Sequence, residues 1–184
     1  MELYPVIMAG GSGTRFWPAS RAHYPKQFLN IIGSSTMVEE TLKRVKPLAA
    51  QEHTIIVSSK EHHEILYNLL GENRYVILEE PCGRNTAPCI GLAACYLKQQ
   101  GILDKPMVVL PADHFIAEEE TFRKILLIGC TLAQKGDILT VGIVPTRPET
   151  GYGYLERGEV KKKPKEFLSM PSSGLSRSLI KKLH

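Results

Sequence analysis

The sequence has no apolar run that approaches the roughly 20 residues a helix needs to cross a bilayer, which excludes a helical membrane span. Its first residues, Met1-Glu2-Leu3-Tyr4-Pro5, lack the basic flank and the long apolar stretch of a signal peptide. The expected location is therefore the cytoplasm. The four cysteines, Cys82, Cys89, Cys95 and Cys130, form no C-x-x-C pair and show no metal-ligand spacing, so free thiols are expected rather than disulfides. Cys89 and Cys95 fall in an apolar, helix-forming stretch, where cysteine acts as a small hydrophobe. A Gly-Lys-Ser/Thr triplet is missing, which excludes a Walker A loop. A dinucleotide fingerprint fails as well, because Phe16 stands where its third glycine belongs.

The charge is also missing where a nucleic-acid binder would need it. The net charge is +4, but residues 159–184 hold seven basic and two acidic groups, and the preceding 158 residues are near neutral at −1. The basic excess belongs to the tail and is no sign of a nucleic-acid partner. No aromatic stacking motif accompanies it. What remains is an ordinary globular composition, 43% hydrophobic and 23% charged, in a chain of 184 residues that can bury a substantial core.

Strand and helix patterns alternate along the chain. Leu3 to Ala9 is an apolar run ending at Gly10-Gly11 and reads as a buried strand. Thr36-x-x-Glu39 is a capping box that opens an amphipathic helix ending near Pro47. Further strands are predicted over 54–57, 75–78, 107–110 and 138–144, and helices over 61–70, 86–99 and 118–135. The alternation predicts an α/β, Rossmann-like three-layer fold with a mostly parallel sheet. Ligands in such sheets bind beyond the carboxyl ends of the strands. That rule selects three loops: Gly10–Arg15, Glu79–Asn85 and Pro111–His114.

In the first loop, glycines permit positive φ and let backbone N–H groups converge on an anion, and Thr14 and Arg15 add polar donors. The alternative is a glycine-rich turn with no ligand. The stretch Ala9-Gly10-Gly11-Ser12-Gly13-Thr14-Arg15-Phe16-Trp17-Pro18, followed by Pro25-Lys26-Gln27-Phe28, resembles the signature of nucleotide-sugar pyrophosphorylases. Within them it is most similar to bacterial mannose-1-phosphate guanylyltransferases. Three later segments agree in order and spacing: Glu80-Pro81-x-x-Arg84-Asn85-Thr86-Ala87-Pro88, Pro111-Ala112-Asp113-His114, and Pro148-Glu149-Thr150-Gly151-Tyr152-Gly153-Tyr154. The resemblance covers about residues 3–157 and implies a fold of the nucleotide-diphospho-sugar transferase type, incomplete at the C-terminus.

The resemblance implies that GTP and mannose 1-phosphate give GDP-mannose and pyrophosphate, with Mg²⁺ assisting an in-line attack on the α-phosphorus. Two polyanions must meet, so the chemistry calls for cations and oriented donors more than for a nucleophilic side chain. Gly10, Gly11, Ser12, Gly13, Thr14 and Arg15 are the expected phosphate cradle, with Arg15 and Lys26 as the catalytic cations. Asp113 follows an apolar strand, where an unpaired carboxylate is costly, and a hard cation would account for it; a cap or turn role is the alternative. Glu80 suits guanine, since a carboxylate accepts from N1–H and the exocyclic amine. Arg84, Asn85 and Thr86 match the family's nucleotide-side motif, although Asn85 and Thr86 equally suit a helix cap. Gly151, Tyr152 and Gly153 read as a loop over the sugar with Glu156 as a hydroxyl acceptor, or as a plain hairpin turn.

The pattern breaks after Gly158, so a nucleotidyltransferase domain is expected over 1–158 and an atypical, disordered tail over 159–184. The family's usual continuation, Arg-Phe-Val-Glu-Lys-Pro-Asp, is absent as written. Shifted by one reading frame, with suitable synonymous codons, the bases encoding Ser173 to Ile180 spell that motif. The tail from about residue 160 is therefore read as out of frame. The resemblance then places a sugar-phosphate lysine and a second metal-binding aspartate beyond the break, and implies weak nucleotide binding and impaired catalysis. Two other readings are a transferase using UTP, dTTP or ATP, and a nucleotide-binding module without turnover. Oligomeric state is not legible.

Overall fold

The structure is a computed structural model that describes residues 1–11, 16–21, 23–31, 33–72, 74–83, 85–148, 150 and 153–156. The described part of the first unit, Met1–Ala117, contains four strands: β1 (Tyr4–Met8), β2 (Ile55–Ser59), β3 (Val76–Glu80) and β4 (Met107–Pro111). All neighbours are parallel, in the order β3-β2-β1-β4. β1 is central, with Val6 opposite Ile55 on one side and Val109 on the other. β1 and β2 are buried on both faces, which explains why they open on continuous apolar runs instead of alternating ones, whereas β3 and β4 are only partly buried.

Helices α1 (Met37–Val45), α2 (His63–Leu70) and α3 (Thr86–Gln99) occupy the predicted segments, and a 3-10 turn over Lys60–His62 leads into α2. α1 starts where the capping box requires. The Glu39 N–H donates to Thr36 Oγ1 at 3.3 Å, and the Thr36 N–H donates to Glu39 Oε2 at 2.8 Å. α3 presents Cys89, Ala93 and Leu97, spaced one helical turn apart, to Tyr4, Val6, Ile55 and Val57. Ala93 is fully buried, and its small side chain lets the helix lie close to the sheet. Alternation along the strands turns the equally buried Ile7 and Ile56 to the opposite face. Burial of each such aliphatic side chain stabilises the fold by about 1.5–3 kcal/mol.

The second unit, Glu118–His184, contains α4 (Glu119–Ala133), whose buried stripe is Phe122, Ile125, Leu126 and Cys130. The strand predicted over 138–144 is not formed. Its sequence has the β-propensity, but a strand also needs a neighbour for its backbone groups, and no described residue pairs with it. Ile138 and Ile143 stay exposed. The expected tail over 159–184, with its reading-frame anomaly, lies outside the described residues. Among the described residues no helix is long and apolar enough to cross a membrane.

All four cysteines are free. Cys89 is buried as expected, but Cys95 is exposed, because it lies off the Cys89–Ala93–Leu97 stripe of α3. Burial, reinforced by the nearby Glu80 carboxylate, pushes the Cys89 thiol up to about 11, and burial alone does the same for Cys130. A thiolate is the reactive form. Ellman's reagent at pH 8 is therefore expected to label Cys82 and Cys95 in the folded chain, and all four only after denaturation. Prompt labelling of four thiols without denaturant would contradict this arrangement.

Candidate functional site

The strand order reverses direction between β1 and β4, because the chain runs outward from β1 to β3 and returns to the other side of β1. This is a topological switch point, and the crevice beyond its strand ends is where such sheets bind ligands. The segment after β1 carries Gly10, and the segment after β4 carries Asp113. Because β1 and β4 are parallel, with Met8 opposite Pro111, both lie beyond the carboxyl ends of the strands.

Lys26 and Asp113 form an ion pair through Nζ and Oδ2, with side chains about a quarter exposed. Asp113 is therefore not the unpaired carboxylate that the sequence suggested. The 3-10 turn over Lys26–Phe28 brings in the lysine, and its Phe28 is fully buried as the anchor. Next to Lys26, Gln27 is 2% exposed. Its Nε2 donates to the Ala9 carbonyl at 2.7 Å and the Gly11 carbonyl at 2.9 Å, the carbonyls of the two residues that flank Gly10. Ser58 Oγ also donates to the Ala9 carbonyl, at 3.1 Å. The Gln27 clamp is a site feature that the sequence reading missed. An amide beside a core aromatic must find partners when buried, and that was the available signal.

Gly10 and Gly11 are not among the residues with positive φ, contrary to the expectation for this loop. At Gly10 the requirement is close approach instead. A Cβ there would lie inside van der Waals contact of Glu80 Oε2 and 3.7 Å from the Ser59 nitrogen. Glu80, the last residue of β3, is thus brought against the first loop. It is buried, and desolvation raises its carboxyl above the ordinary value of 4.5.

Asn85 precedes α3 with φ +68° and ψ −165°, and its side chain makes no capping hydrogen bond. The side-chain cap reading of Asn85 is therefore not met. That backbone conformation costs a non-glycine residue about 1–3 kcal/mol. Thr86 opens α3 and is exposed, as is Asn85. Gly153 and Glu156 belong to the second unit, outside any helix or strand. A groove of about 490 Å³ in that unit is lined by Pro145, Thr146, Arg147, Pro148, Thr150 and Tyr154. Ser12, Gly13, Thr14, Arg15, Arg84, Gly151 and Tyr152 lie outside the described residues.

In the first unit, a parallel α/β sheet with a glycine turn and a Lys–Asp pair at its switch point defines the doubly wound class of α/β protein, which binds ligands at this crevice. Residues 4–174 match the model of the nucleotidyl transferase family, and the chain belongs to that family. It is 46% identical over 166 residues to a mannose-1-phosphate guanylyltransferase of Escherichia coli (strain K12), covering 86% of this chain and 34% of that protein. The xanthan biosynthesis protein XanB of Xanthomonas campestris pv. campestris (strain ATCC 33913) is 44% identical over 161 residues, again across 34% of its length. The chain thus spans about a third of the length of the curated relatives it matches. A crystal structure described as a mannose-1-phosphate geranyltransferase from Thermus thermophilus superposes with a TM-score of 0.79 at 34% identity. That match covers 89% of this chain and 48% of the other.

Proposed function

We propose that this chain carries the nucleotide side of a mannose-1-phosphate guanylyltransferase, which transfers GMP from GTP to mannose 1-phosphate. The observation that carries the reading is the Lys26–Asp113 pair at the switch point, beside a glycine turn fixed by Gln27. One cation and one carboxylate side by side support a site where a triphosphate would meet a divalent ion. The names of the relatives supply the sugar and the base.

In this reading the backbone beyond Gly10, with Arg15, receives the triphosphate, and a phosphate oxygen of mannose 1-phosphate attacks the α-phosphorus. The bond from that phosphorus to the bridging oxygen breaks, and pyrophosphate leaves. Lys26 offsets the charge of the converging phosphates. Asp113 would hold Mg²⁺, which supplies charge neutralisation on the phosphates. The donor fits: Asp113 offers one hard, partly exposed carboxylate at the strand end. A cation here would take most of its ligands from phosphate and water, as Mg²⁺ does. The sugar is assigned to Gly151, Tyr152, Gly153 and Glu156. We assign the 1–158 region as the transferase domain and the cytoplasm as the compartment, in keeping with four free thiols.

Glu80 is the proposed guanine reader. A buried hydrogen bond to a charged acceptor contributes about 1.5–3 kcal/mol, so GTP is expected to bind at least about tenfold more tightly than ATP or UTP. Acceptance from guanine needs the ionised carboxylate. Because burial raises its pKa, the preference is present at neutral pH and disappears on acidification before an ordinary glutamate, near 4.5, would protonate. Thermal-shift titrations with GTP, UTP, dTTP and ATP in Mg²⁺, at pH 7.5 and pH 5.5, test this. Equal shifts for the four nucleotides would remove the guanine assignment.

A further inference from the structure

The loop that carries Asp113 is held from behind by two buried side chains of α1 that none of the signature motifs contains. Thr41 is fully buried, and its hydroxyl bridges the Met37 carbonyl at 3.0 Å and the Ala112 carbonyl at 3.3 Å. Arg44, 4% exposed, donates through Nη2 to the His114 carbonyl at 3.2 Å and through Nη1 to Thr41 Oγ1 at 3.5 Å. The two contacts fall on the carbonyls of Ala112 and His114, the residues that flank Asp113. The Ala112 N–H is tied in turn to the Met8 carbonyl at 3.1 Å, across the β1–β4 seam.

Packing alone does not account for this pair. Burying a guanidinium costs solvation that Leu or Met at the same helix position would not, so its hydrogen bonds must supply something an apolar residue cannot. Here they fix the backbone on both sides of one carboxylate. A hard cation that draws on a single protein carboxylate is sensitive to where that oxygen is held, because the remaining ligands come from mobile phosphate and water. The arrangement parallels that of Gln27, which grips the carbonyls on both sides of Gly10.

We propose that Thr41 and Arg44 are positioning residues for a divalent-cation site at Asp113, acting through the Ala112 and His114 carbonyls. The proposal rests on the reading of Asp113 as the cation ligand. Outer-shell partners of metal ligands typically contribute 10–100-fold in metal affinity.

The test uses the full 184-residue chain with GTP present and Mn²⁺ as the probe, its binding followed by loss of the free-ion EPR signal. Variants Thr41→Val, Thr41→Ser, Arg44→Met, Arg44→Lys and Asp113→Asn are compared with the parent. Thr41→Val and Arg44→Met should each raise the Mn²⁺ dissociation constant about 10-fold or more. Thr41→Ser, which keeps the hydroxyl, should restore it, and Arg44→Lys should restore part of it. GTP binding in EDTA should stay within about twofold of the parent, a readout that general loosening of the fold would move. If Arg44→Met does not fold, Thr41→Val, which removes only the hydroxyl from a near-isosteric side chain, decides the question. Parental Mn²⁺ affinity in a folded Thr41→Val chain, with affinity lost in Asp113→Asn, overturns the positioning role and leaves the cation reading intact. Parental affinity in Asp113→Asn overturns both.

Discussion

Asp113→Asn is expected to weaken the binding of Mg²⁺·GTP by about a hundredfold while changing the stability of the chain by about 1 kcal/mol or less. The two magnitudes separate because they come from different environments. Removing even an outer-shell partner of a metal ligand costs about 10–100-fold in affinity, and a ligand oxygen itself should cost at least the upper figure. The Lys26–Asp113 pair, in contrast, is reached by solvent on both sides, with exposures of 25% and 22%. Partly solvated pairs contribute about 0–1 kcal/mol, and Lys26 regains hydration when its partner is neutralised. Calorimetric titration of GTP with and without Mg²⁺, beside a thermal melt of the same sample, reads both quantities. A large fall in melting temperature with unchanged Mg²⁺ dependence would make Asp113 a structural residue and remove the cation site.

Gln27→Leu should show the opposite balance, with stability lost first and nucleotide affinity lost as a consequence. The Ala9 carbonyl keeps Ser58 as a donor, but the Gly11 carbonyl loses the amide that faces it. Gly11 is exposed, so water can replace the amide, and losing the bond costs about 0.5–1.5 kcal/mol. In a chain of this size each kcal/mol lowers the melting temperature by about 2–4 °C, so a fall of about 1–6 °C is expected. Freed of its clamp, the turn must be ordered by the nucleotide at about 1–2 kcal/mol per residue. GTP affinity should drop about tenfold for each residue released. Gln27→Glu is a sharper variant, since a carboxylate would face two carbonyl oxygens with no hydrogen to offer. A Gln27→Leu chain with parental melting temperature and parental GTP affinity would show that the clamp is dispensable.

The sheet was legible because its strands carry short apolar runs, buried on both faces in β1 and β2 and partly buried in β4. Leu3–Ala9 and Met107–Leu110 carry no charged residue, and such runs between helical stretches leave few alternatives. α1 was legible for a local reason: Thr36 and Glu39 satisfy each other's end of the helix without help from elsewhere. The three ligand loops followed from strand direction alone. What sequence could not supply was any contact made by residues far apart in the chain. Gln27 reaches back 16–18 residues and Thr41 forward 71, and no periodicity encodes such distances. Gly10 was chosen for the right position on the wrong ground. Its neighbour Glu80 is a spatial fact, whereas positive φ is a local one. The failed strand at 138–144 has the same origin, since composition records a preference and only a partner realises it.

That segment bears on handling the protein as well. Ile138-Leu139-Thr140-Val141-Gly142-Ile143-Val144 has no charge and no proline, and several of its side chains stand in water. Uncharged stretches of six or seven strand-forming residues are templates for self-association between copies, stacking edge to edge into ordered aggregates. Asp137 stands at one end and Pro145 at the other. A charge repels its own image in a stacked copy, and a proline has no N–H to extend the ladder. The two residues act as gatekeepers, confining to seven positions a stickiness that would otherwise spread along the chain.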